Sequence, residues 1–142
     1  MSDPKKVLFL CTGNSVRSQM AEALLNHLGS PKWQAQSAGL FPSYVHPLAI
    51  RAMEEIGIDI SQQSSKSMDQ FLTDEFDYVI TLCDYIATSC PVFPGQARRI
   101  HWSFEDPAGA IGTIEERMVV FRKVRDQIKK RIEDFLNSEA SE

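Results

Sequence analysis

The chain has 142 residues, 43% of them hydrophobic and 24% charged, which is enough for one domain with a real core. Its formal net charge of −4 argues against general nucleic-acid binding, and no stretch approaches the roughly 20 apolar residues of a membrane span. The opening "MSDPKK" leads into an apolar run of four residues rather than a secretory leader, and three cysteines make an odd count that does not suit a disulfide framework. One cytoplasmic domain over residues 1–142 is expected, with cysteines that are buried, catalytic or redox-active.

In chain order, "VLFLC" from Val7 is a short apolar run closed by a glycine turn, the pattern of a buried parallel strand. From Val16, the apolar positions Met20, Ala23, Leu24 and Leu28 recur at helical spacing up to Gly29. "WQAQSAG" from Trp33 is a weaker strand. Leu48, Ala49, Ala52, Met53 and Ile56 form one helical face, with Pro47 at its start and Gly57 after its end. "SMDQFL" suggests a short helix, "DYVITLC" a strong strand ending at Cys83, and "ARRIHW" a third candidate strand. Ile114, Met118, Phe121, Ile128, Ile132 and Phe135 stripe a long C-terminal helix. Strands alternating with helices imply right-handed crossovers and a parallel sheet, with ligands bound beyond the carboxyl ends of the strands. Cys11 and Cys83 both end predicted strands and belong at that edge.

The segment between Cys11 and the first helix carries the chemistry. A strand that feeds a helix through a short loop can aim several backbone N–H groups at one spot, and the helix N-terminus adds positive potential. Thr12, Gly13, Asn14, Ser15, Val16, Arg17 and Ser18 are therefore candidate oxyanion-binding residues. Gly13 permits close approach or a positive φ, and Asn14 tolerates the left-handed conformation. Arg17 offers a planar fork for two oxygens. The same field favours a thiolate at Cys11, to which Ser18 can donate a hydrogen bond. Cys83 and Cys90 stand apart from this segment. Their spacing is not that of a C-x-x-C pair, and three cysteines without a nearby histidine make a weak zinc set, so no metal site is expected. From composition alone Cys83 is as readily a core residue as a redox thiol, and for Asp106 an Asp-Pro turn residue is the alternative to an acid.

"CTGNSVRS" resembles the anion-binding loop of the low-molecular-weight tyrosine phosphatase fold. "VHPLAIRAMEEIGIDIS", "VITLCD", the "CP" at Cys90 and "HWSFEDPAGA" extend the resemblance to the thioredoxin-coupled arsenate reductases. The resemblance implies an α/β, flavodoxin-like single domain with a four-stranded parallel sheet in the order 2-1-3-4 and helices on both faces. It also implies a three-thiol relay. Cys11 attacks arsenate, Asp106 protonates the departing oxygen, Cys83 forms a disulfide with Cys11 as arsenite leaves, and Cys90 resolves it. Thioredoxin then reduces the Cys83–Cys90 disulfide, no cofactor is tightly bound, and phosphate and sulfate are analogues of arsenate. The role implied is arsenic detoxification by a monomer. A tyrosine phosphatase, which needs neither Cys83 nor Cys90, is the alternative enzyme, and an oxyanion-binding or redox-signalling module the non-catalytic one.

Some relatives hold potassium through residues matching Asn14, Glu22, Ser37 and an aspartate. Here Lys66 stands at the aspartate's place, where its ammonium can occupy the position of the ion, an ordinary exposed lysine being the alternative, and no potassium site is expected. His46 is read as a surface residue, His101 and Trp102 as packing, and Arg98 and Arg99 as a solvated edge.

Overall fold

The computed structural model describes residues 3–82, 93 and 95–140. Strands β1 (Lys5–Cys11), β2 (Trp33–Gly39), β3 (Tyr78–Thr81) and β4 (Arg98–His101) form one sheet in the order β2-β1-β3-β4. Every neighbouring pair is parallel. Helices α1 (Arg17–Gly29), α2 (Pro47–Glu54) and α3 (Ile114–Ala140) lie between and after the strands, with short 3-10 turns at Met68–Phe71 and Pro107–Gly109. The sheet order implied by the resemblance is the one observed.

β1 is central, and Val7, Leu8, Phe9 and Leu10 are all fully buried, which is why its sequence is a continuous apolar run rather than an alternation. Val7 and Phe9 point into the larger core, with Met20 and Leu24 of α1, Ala52 and Met53 of α2, and Met118, Phe121 and Ile128 of α3. Leu8 and Leu10 point to the opposite face, against Met68 and Phe71 of the 3-10 turn and Phe93. Both faces are covered, but unequally. Trp102 packs at the centre of the larger core, 6.0 Å from Phe9 and 5.6 Å from Phe135 between ring centroids.

Several local expectations shift. Leu28 and Ile114, counted on apolar stripes, are 37% and 55% exposed because each lies at a helix end beyond the packed stretch. α2 stops at Glu54 and turns out through Gly57 at φ 82°, leaving Ile56 half-buried against the core. His101 is exposed, its Nδ1 2.7 Å from Thr81 Oγ1, so it does not pack in the core. β4 is an edge strand with exposed arginines, as expected: Arg98 pairs with Glu139, and Arg99 donates to the Phe93 carbonyl at 2.7 Å.

Strand order reverses direction between β1 and β3, and in open α/β sheets a crevice forms there at the carboxyl edge. The loop from Cys11 to Arg17 leaves β1 at that point.

Candidate active site

Cys11 ends β1 and is 3% exposed. The six peptide carbonyls that follow are held from outside the loop. Cys11 O accepts from the Leu40 amide (3.3 Å), Thr12 O from Phe41 (2.8 Å) and Gly13 O from Ser43 (3.2 Å). Asn14 O accepts from Gln19 Nε2 at 3.1 Å, Ser15 O from the His46 amide at 3.1 Å, and Val16 O from Met20 at 3.0 Å. Gly13 O also accepts from Ser65 Oγ at 3.1 Å. In a planar trans peptide the carbonyl and the next amide point in opposite directions. Anchoring six carbonyls outward therefore turns the amides of residues 12–17 toward the inside of the loop. α1 adds to this set, because it begins after Val16 with no side-chain cap and no acidic residue in its first turn.

The loop needs one left-handed residue, and that is Asn14 at φ 48°. Gly13 is not in a positive-φ conformation, and a Cβ there would meet nothing closer than 3.7 Å, so the protein itself does not require glycine at that position. Gly39, which the sequence showed only as the end of a strand, is the constrained one. A Cβ at Gly39 would sit 2.8 Å from Thr12 O and 2.9 Å from the Asn14 amide nitrogen, against the backbone of the loop.

Cys11 Sγ accepts from the Asn14 amide at 3.1 Å and lies 2.8 Å from Ser18 Oγ. Asn14 Nδ2 donates to Ser18 Oγ (2.8 Å) and to Ser37 Oγ (2.9 Å), while Asn14 Oδ1 accepts from the Lys66 amide (2.7 Å) and from Gln19 Nε2 (2.9 Å). These partners fix the orientation of the Asn14 amide. Ser18 Oγ accepts from Asn14 and still has its own hydroxyl hydrogen with which to donate to the Cys11 sulfur. Ser37 in turn donates to Glu22 Oε1 at 2.6 Å. A chain of hydrogen bonds thus joins the sulfur to Glu22 through Ser18, Asn14 and Ser37, with the Asn14 Nδ2 donating to both serines, and the Asn14 backbone amide and the Ser18 hydroxyl both lie at hydrogen-bond distance from the sulfur.

Beneath the loop, Lys66 Nζ stands 3.4 Å from Glu22 Oε1 and 3.1 Å from the Ser64 carbonyl. It is not a solvated surface lysine, its side chain being 16% exposed. Gln19 is fully buried and is braced by Gln63, whose Nε2 donates to Gln19 Oε1 at 2.7 Å. Gln19, Gln63 and Ser65 were missed in the sequence, where isolated polar residues carry no signal of a shared partner. Among the described residues, no group of three or more His, Cys, Asp or Glu is arranged to hold a metal ion.

Arg17 is buried at the start of α1, its Nη1 donating to the carbonyls of Leu82 and Phe104, both at 3.1 Å. Its Nη2 is 3.5 Å from Asp106 Oδ2, which brings the acid candidate to the loop from beyond β4. Asp106 Oδ1 accepts from the Ala108 amide at 3.0 Å, so this side chain both caps the Pro107–Gly109 turn and presents its second oxygen toward Arg17. The Asp-Pro turn reading and the acid reading are compatible: one oxygen serves each. Cys83 and Cys90 lie outside the described residues.

The sequence profile of the low molecular weight phosphotyrosine protein phosphatase family matches residues 6–142. The chain is 51% identical over 131 residues to the arsenate reductase of Halalkalibacterium halodurans, covering 92% of this chain and 94% of that one. An arsenate reductase solved in its phosphate-binding state superposes with a TM-score of 0.81 at 43% identity, over 94% of this chain and 98% of that one. The thioredoxin-dependent arsenate reductase of Corynebacterium glutamicum superposes with a TM-score of 0.76 at 30% identity, over 99% of this chain and 65% of the larger neighbour. Among the described residues no helix is long and apolar enough to cross a membrane.

Proposed function

This chain belongs to the low molecular weight phosphotyrosine protein phosphatase family, and we propose that it works there as an arsenate reductase, converting arsenate to arsenite with its three cysteines. The observation that carries the oxyanion half of this reading is the outward anchoring of six consecutive carbonyls, which leaves the amides of residues 12–17 turned inward beside a hydrogen-bonded Cys11 sulfur, with Arg17 at the end of the loop held by the Leu82 and Phe104 carbonyls and Asp106. A tetrahedral anion with two negative charges matches that donor set.

In the proposed cycle the Cys11 thiolate attacks arsenic, forming a sulfur–arsenic bond. One oxygen leaves as water, taking a proton from Asp106. The Cys83 thiolate then attacks the Cys11 sulfur. A Cys11–Cys83 disulfide forms, the sulfur–arsenic bond breaks, and its electron pair stays on arsenic, which leaves as arsenite. Cys90 attacks Cys83 and frees the Cys11 thiolate, by ordinary thiol–disulfide exchange. A dithiol of the thioredoxin class removes the Cys83–Cys90 disulfide and supplies the two electrons of the next turnover. No bound cofactor is needed, since every electron passes through sulfur. Removal of intracellular arsenate is the role that follows, in a reducing compartment where the thiols persist.

The phosphatase alternative shares Cys11, Arg17 and Asp106, and a weak phosphomonoesterase activity is compatible with the same loop. A coupled assay separates the two. Arsenate, thioredoxin, thioredoxin reductase and NADPH are mixed with the protein, NADPH loss is followed, and Cys11→Ser serves as the blank. Arsenate-dependent NADPH oxidation supports the reductase. Hydrolysis of an aryl phosphate without arsenate-dependent oxidation would replace it with the phosphatase.

A further inference from the structure

His46 ties three parts of the molecule together. Its backbone amide is the donor that holds the Ser15 carbonyl outward, at 3.1 Å. Its ring Nδ1 accepts from the Leu48 amide at 3.1 Å and so starts α2, with Pro47 in the first turn. The ring lies 4.9 Å from Phe121 of α3 and 6.2 Å from Tyr44 between centroids. A nitrogen that accepts must carry a lone pair, so the ring is neutral and its proton is on Nε2. Protonation would place a hydrogen on Nδ1 facing the Leu48 N–H, two donors head to head, and the start of α2 would lose its cap.

We propose that His46 is a positioning residue for the anion-binding loop, holding Ser15 and the start of α2 in register as the neutral imidazole and releasing them when protonated. The proposal rests on the oxyanion-binding role of the loop given above. The charged groups facing the ring come from two elements. Arg117, one turn before Phe121 on α3, opposes a second positive charge, while Asp106 favours it. Burial of the ring, then Arg117, outweigh Asp106 and hold the imidazole below its ordinary pKa of 6.5. The capped state therefore persists through neutral pH and is lost as pH falls below the ordinary histidine range.

The test compares wild type with His46→Asn, which keeps a capping acceptor but does not titrate, and His46→Ala, which has neither. Sulfate is the probe, since it stays a dianion throughout. Its affinity and the exchange of the Leu48 amide are followed between about pH 8 and pH 5, alongside the His46 ring protons by NMR. In wild type, sulfate affinity and Leu48 protection should fall by about two- to thirtyfold in step with ring protonation, the range expected for loss of an N-cap. His46→Asn should lack that step, and His46→Ala should be low at every pH. Parallel loss in wild type and His46→Asn would overturn the proposal, as would ring titration with no change at Leu48. Failure of arsenate reduction with sulfate still bound would overturn the reductase reading alone. Absence of sulfate binding at the upper pH would overturn the oxyanion site and the role of His46 with it.

Discussion

Lys66 Nζ lies 3.4 Å from Glu22 Oε1, and both side chains are largely buried beneath the loop that carries Cys11. Glu22 is the last member of the hydrogen-bond chain that starts at the Cys11 sulfur, so its charge is felt at the orientation of Ser37, Asn14 and Ser18. The lysine supplies the positive charge that this carboxylate needs, from within the chain.

Oxyanion affinity should therefore be the same in sodium and potassium salts at equal ionic strength. Lys66→Met should weaken both stability and oxyanion binding. The charged contact is worth about 1.5–3 kcal/mol before discounting for its length. Denaturant unfolding and calorimetric titration with phosphate measure the two effects. A potassium-specific gain in the wild-type protein would contradict the assignment.

Gly39→Ala tests the close approach of β2 to the loop. The added methyl would meet the Thr12 carbonyl and the Asn14 amide, both backbone, so the loop itself must move. A loss of about 1–3 kcal/mol is expected, as for overpacking in a core, with oxyanion affinity falling further than stability. Gly13→Ala is the contrast: its methyl has room in the protein, and any loss should appear in anion binding alone.

Asp106→Asn should slow the attack of Cys11 by roughly 10²–10⁴-fold while the anion still binds. The amides and Arg17 remain, and asparagine can keep the cap on Ala108 with its side-chain oxygen. Single-turnover rates and phosphate titration, run on one preparation, separate the two. Loss of binding without a slower turnover would make Asp106 a structural residue.

Cys90→Ser should release one arsenite per protein molecule and then stall with a Cys11–Cys83 disulfide. Peptide mapping by mass spectrometry after arsenate treatment detects that bond. Continued thioredoxin-coupled turnover at the wild-type rate would eliminate the three-thiol relay.

Glu55 sets an acid limit to the packing of α2 on α3. Its carboxylate bonds Arg122 at 2.8 to 3.1 Å and Arg125 at 3.0 Å. Chiefly through the Arg122 hydrogen bonds, its pKa is lowered from 4.5 to about 2. A carboxylate held below its unfolded value adds stability above that value and loses it as pH falls toward the folded one. Wild type should thus exceed Glu55→Gln in stability at neutral pH, and the gap should close between pH 4.5 and about 2. An unchanged gap across that window would remove the arginine pair from the account.

The sequence by itself determined the elements and the reactive segment. β1 was legible because a strand buried on both faces must be apolar at every position, and Val7 to Leu10 are. Cys11, Asn14, Arg17 and Ser18 were legible because the strand, loop and helix that bring them together are one continuous stretch of chain. The sheet order came from family resemblance, since apolar periodicity says which residues are buried and not which strands are neighbours. What tertiary structure decided is how the loop is held. Its carbonyls are anchored by Leu40, Phe41, Ser43, His46 and Ser65, its close contact is with Gly39, and its buried carboxylate is matched by Lys66. These residues lie tens of positions away, and each is an ordinary residue of its type until the fold gives it a partner. A hydrogen bond or an ion pair is a property of two groups at one distance, and that distance is set by the packing of the sheet and helices as a whole.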